Sequence, residues 1–117
     1  MTRQAKITNI IQQVGIPPNI FGYYYVRDAV MMVLDDIEIL LHITKSLYPM
    51  IAKKHNSTPT KVQRAIRHAV AIAWDRGYAD FIMNAFGHAD NQKIARPSNS
   101  EFIGMIADKI RLDEINC

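Results

Sequence analysis

Apolar residues recur at helical spacing along nearly the whole chain, and no segment sustains the period-two alternation of a half-buried strand. Ile7, Ile10, Ile11 and Val14 form a first stripe, closed by Gly15 and Pro17-Pro18. A second helix is predicted from near Tyr23 to His42, burying Val26, Val30, Val33, Ile37, Leu40 and Leu41. Asp28, Asp35, Asp36 and Glu38 fall on its exposed parts. A short third helix begins near Leu47 or Tyr48 and takes Pro49 in its first turn. It turns Ile51 and Ala52 inward and Lys53 and Lys54 outward, and stops near Asn56, a residue that accepts left-handed backbone angles. A longer helix follows from Pro59 to about Asp75, stopped by Gly77. Another short one is predicted near Tyr78 to Phe86, ending at Gly87, before an irregular stretch from His88 to Pro97. Ser98-Asn-Ser-Glu101 matches a capping box, opening a last helix with Phe102, Ile103, Ile106 and Ile110 on one side. No repeat and no linker divides this pattern, so one all-α domain over residues 1–117 is expected.

The segment from Asn56 to Trp74 sorts its residues most sharply. Ser57 or Thr58 can cap it, and Pro59 suits an early position whose amide would lack a partner. At roughly 100° per residue, Val62, Ala65, Ile66, Ala69, Val70, Ile72 and Ala73 share one arc. Thr60, Lys61, Arg64, Arg67 and His68 share the opposite arc, with Gln63 at its edge. A short helix, a tight polar turn and a longer basic helix together read as a helix-turn-helix over about residues 47–75. Its second helix suits a nucleic-acid groove, N-terminal end first. In that geometry Lys61, Gln63 and Arg64 can reach base edges, because arginine or lysine pairs with guanine and glutamine with adenine. Thr60, Arg67, His68, Lys53 and Lys54 would hold phosphates.

Charge sharpens this reading. The net charge is +3, yet Lys53 to Arg76 holds six cations against the single anion Asp75, leaving +5 there and −2 elsewhere. Such a patch suits a localised polyanion contact, although charged surface runs are common on solvated helices. The only cysteine is Cys117, which excludes an internal disulfide framework and a cysteine-based zinc site. No apolar run reaches the length of a membrane span, and the first residues lack a signal core. A reduced cytoplasm is the expected compartment.

Other constellations carry less. No two of His42, His55, His68 and His88 lie three or four residues apart, so no metal site is expected. Asp35-Asp36-x-Glu38 points its carboxylates in different directions and has no nucleophile or phosphate loop beside it. Tyr23-Tyr24-Tyr25 is expected to pack partly in the core with one exposed ring, and Trp74 and the methionines to fill core gaps. Neither an enzyme nor a cofactor-binding protein is expected.

Arg64-Ala-Ile-Arg-His-Ala69, continuing through Ala73-Trp-x-Arg-Gly77, resembles the DNA-binding effector domain of the stage-zero sporulation protein A family of response regulators. Ile7-Thr-x-Ile-Ile11, Asp36-Ile-Glu38, Ile43-Thr-Lys45, Leu47-Tyr-Pro49, Ile51-Ala-Lys-Lys54, Asn99-Ser-Glu-Phe-Ile103 and Ala107-Asp-Lys109 extend the likeness along the chain in the same order. The resemblance implies a compact six-helix fold around the helix-turn-helix. It further implies binding to short promoter boxes in double-stranded DNA, often as tandem head-to-tail dimers, and regulation through RNA polymerase. Base reading is implied for Lys61, Gln63 and Arg64, but Lys61 stands where arginine is usual and Gln63 where glutamate is usual. The family region that touches the polymerase sigma subunit corresponds to about Tyr78 to Ala89, where Phe86-Gly87 fits and Met83, His88 and Asp90 diverge.

The family's receiver domain is missing here, so either an excised fragment or a naturally short paralogue is expected. Two functions are therefore carried forward. One is a sequence-specific DNA-binding transcriptional regulator. The other is a protein-interaction module that sequesters or modulates the full-length regulator or RNA polymerase.

Overall fold

Three of the described α-helices begin where a side chain accepts from a free backbone amide. The computed structural model of the chain describes residues 1–78 and 96–116, and among these it has five α-helices and no strand. In α1 (Arg3–Gln13) the Thr2 hydroxyl accepts from the Ala5 amide at 3.1 Å. Gly15 then turns the chain away at φ +91°, toward α2 (Phe21–Asp35). After α3 (Tyr48–Lys54) and α4 (Pro59–Ala73), the chain continues through one π-helical turn, Trp74–Tyr78. The last helix, α5 (Asn99–Ile115), opens with the expected capping box: Ser98 accepts from the Glu101 amide, and Glu101 accepts from the Ser98 amide. The short helix expected near Tyr78 to Phe86, with Phe86 itself, lies outside the described residues apart from its first position.

The helix expected to reach His42 stops at Asp35 instead. Asp36 is extended (φ −150°, ψ 99°), and its carboxylate accepts from the Glu38 amide at 3.1 Å. That local bond offers the backbone an alternative to continuing the helix. The chain passes through a 3₁₀ segment, Ile37–His42, and a π turn, Ile43–Leu47, before entering α3. The break throws the apolar stripe out of phase. Ile37 and Leu41, both expected inside, are 57% and 79% exposed.

Helix α2 is the central post, packing against α1, α4 and α5. The core gathers Ile7 and Ile11 from α1, Val26 and Val30 from α2, Ile51 from α3, Ile66 from α4, and Phe102 and Ile106 from α5. Tyr23 and Tyr25 are buried and Tyr24 is exposed, as expected of the tyrosine run. Helix α2 approaches α4 closely at Gly22. A Cβ there would lie 2.4 Å from the Ala65 carbonyl oxygen and 2.8 Å from Ala69 Cβ. No described helix is long and apolar enough to cross a membrane.

Arg3 fastens the start of the chain to its end. Its Nε and Nη2 donate to the two oxygens of Glu114 at 3.0 and 3.2 Å, and its Nη1 donates to Asp35 at 3.3 Å. The Arg3 hydrogen bond holds the Glu114 carboxyl below its ordinary value.

Candidate nucleic-acid interface

The turn between α3 and α4 is built by backbone bonding around Asn56, which sits at φ +53°. The Ser57 amide donates to the Ala52 carbonyl at 2.8 Å and the Asn56 amide to the Lys53 carbonyl at 3.4 Å. This is the six-to-one and five-to-two pair of a Schellman cap, with asparagine in the left-handed position. Thr58, rather than Ser57, then caps α4, its hydroxyl accepting from the Lys61 amide at 3.3 Å. Pro59 occupies the first helical turn.

Helix α4 divides as its sequence requires. Val62, Ile66, Ala69, Val70 and Ala73 are buried, whereas Ala65 and Ile72 reach only half-burial at the boundary. Thr60, Lys61, Gln63, Arg64, Arg67 and His68 are all exposed. The polar face splits between two grooves. Lys61 and Arg64 line one of about 390 Å³, shared with Phe21, Tyr25 and His55. Gln63 and Arg67 line another of about 470 Å³, shared with Tyr48 and the stretch Arg96 to Glu101 at the start of α5. Thr60 and His68 line neither groove.

Two supports hold this face in place. Asn99 Nδ2 donates to the Tyr48 hydroxyl at 3.0 Å and to the Gln63 carbonyl at 3.2 Å, joining α5 to α3 and α4. Burial raises the Tyr48 phenol above its ordinary value, partly opposed by the Asn99 bond. On the other side Asp28 of α2 receives both Lys54 Nζ, at 3.0 Å, and His55 Nε2. Tyr25 meets the His55 ring edge-on, 5.1 Å between centroids.

Asp28 is thus a correction to the expected exposed acid, because only 16% of its side chain is accessible and it grips the end of α3. Lys54 remains mostly exposed but is held in that ion pair. Lys53 is exposed on the last turn of α3 and lines neither groove. Sequence reasoning missed Phe21, Asp28 and Arg96 as neighbours of the basic face. The only local signal was the helical spacing of Phe21, Tyr25 and Asp28, obscured by starting the helix at Tyr23.

Among the described residues, no group of three or more His, Cys, Asp or Glu could hold a metal ion. A family model described as Sporulation initiation factor Spo0A C terminal matches residues 7–110. The chain belongs to that family. The match spans the core stripe of α1, both grooves and α5 as far as Ile110, so family and exposed basic face coincide in one fold.

Proposed function

We propose that this chain is a sequence-specific DNA-binding transcriptional regulator in which α3 and α4 act as a helix-turn-helix. The observation that carries the proposal is the division of α4, which turns six polar side chains to solvent and five apolar ones to the core. Family membership supports the same reading. In it, the N-terminal half of α4 enters the major groove, where the positive end of the helix dipole also favours the phosphates. Arg64 takes the two acceptors of guanine, Lys61 reaches a neighbouring acceptor, and Gln63 suits adenine. Thr60, Arg67, His68 and Lys53 hold phosphates, and Lys54 joins them on leaving Asp28. The single-domain, six-helix organisation belongs to this proposal, as do tandem binding on paired boxes and a sigma-subunit contact through Phe86.

Selection of bound sites from random duplex DNA tests it, followed by affinity measurements over a range of salt. Arg64→Ala is expected to relax discrimination at one base pair by about 1–3 kcal/mol. Arg67→Ala is expected to weaken all sequences alike and to reduce the salt slope by about one unit. If both variants bind the selected site as the parent does, α4 is not the reading element. A protein complex that survives salt abolishing DNA binding would instead favour an interaction module.

A further inference from the structure

The first residue of α2 is a phenylalanine with 75% of its surface in solvent. A single exposed apolar side chain is ordinary. Four observations set Phe21 apart. Its ring stacks on Tyr25, centroids 6.1 Å apart and planes within 16°, and is thereby held on the side of α2 that faces α4. Tyr25 in turn meets His55, so one aromatic series runs from the tip of α2 to the α3–α4 turn. The groove this series lines has Lys61 and Arg64 in its other wall. The next residue, Gly22, sits against the backbone of Ala65, one position beyond Arg64, which keeps the Phe21 backbone beside the basic face.

We infer that this groove takes the apolar C–H surface of duplex DNA beside the bases read by Lys61 and Arg64, with Phe21 as its contact. The inference rests on the DNA-binding reading above. The cations in the groove wall select an anionic partner, and the aromatic wall requires that partner to present apolar surface between its charges. Duplex DNA does so in two places, the thymine 5-methyl group in the major groove and the deoxyribose edge along the backbone. Phe21 thus adds affinity without neutralising a phosphate. Its contribution is independent of salt, unlike that of Arg67.

The test measures binding of the parent, Phe21→Ala and Phe21→Leu to a selected duplex over a range of salt. It is repeated with deoxyuridine replacing each thymidine, which removes only the methyl groups. Phe21→Ala is expected to weaken binding about tenfold, equivalent to roughly 1.4 kcal/mol, with an unchanged salt slope. Phe21→Leu should retain most of the affinity. A parent that loses the same factor on the deoxyuridine duplex, where Phe21→Ala loses nothing more, identifies the methyl group. A tenfold loss on both duplexes identifies deoxyribose. Parent-like binding by Phe21→Ala, or a reduced salt slope, overturns the inference while leaving α4 as reader. A parent that binds no duplex overturns both. The exposure of Phe21 lets circular dichroism melts of the variants match the parent, so loss of binding is not loss of fold.

Discussion

Gly22 sets how closely α2 backs the helix that carries the candidate interface. Without a Cβ it lets α2 approach the Ala65 carbonyl and the Ala69 methyl more closely than another residue permits. Gly22→Ala is therefore expected to cost about 1–3 kcal/mol of stability through overpacking, read from urea denaturation midpoints at unchanged m. The same change should weaken DNA binding even at temperatures where the variant is folded, because it pushes α4 away from its post. Full retention of stability would mean that the helices can part freely there. Asn56 has a comparable local role, supplying the left-handed residue that the α3 cap needs.

At the scale of elements, the capping box ahead of α5 links local chemistry to pH. Hydrogen bonds from the Ser98 backbone, then from its side chain, lower the Glu101 carboxyl below its ordinary value. A folded value below the unfolded one means that the stabilisation is complete above the unfolded value and fades as pH falls through the folded one. Glu114, lowered by Arg3, acts with the same sign. Thermal melts from neutral to strongly acidic pH should show Glu101→Gln and Glu114→Gln with shallower acid limbs than the parent. Ser98→Ala should cost about 1 kcal/mol at neutral pH.

Such signals explain why some elements were legible and others were not. In α4 the cap, the proline and the apolar period all agree, so its start and both faces follow from the sequence. At the end of α2 they conflict. Ile37, Leu40 and Leu41 continue the period, while the break depends on one Asp36 carboxylate reaching one amide. Asp28 was illegible for a different reason, because Lys54 lies 26 residues along the chain and only folding brings the two together. Both grooves share that origin. Each joins α4 to side chains from another part of the sequence.

Across the whole molecule, the +3 net charge hides a basic face with Asp28 set beside it. Asp28 holds Lys54 at 3.0 Å and so offsets part of the field that would attract phosphate. Asp28→Asn is expected to raise affinity for unrelated duplexes about fivefold, equivalent to the roughly 1 kcal/mol of two charges ~4 Å apart in water. Fluorescence anisotropy at low salt should show the gain, and it should shrink as salt rises. An unchanged affinity would place the α3 cations outside the contact. The division of α4 carries a further consequence. The proposed reading positions and the core positions share no residue, so the target can be rewritten by point changes while the scaffold stays the same. A library varied at residues 60, 61, 63 and 64 should keep most members folded at the parent's melting temperature while scattering their preferred sites. Duplicated copies of such a domain could then diverge in the promoters they serve without crossing an unfolded intermediate.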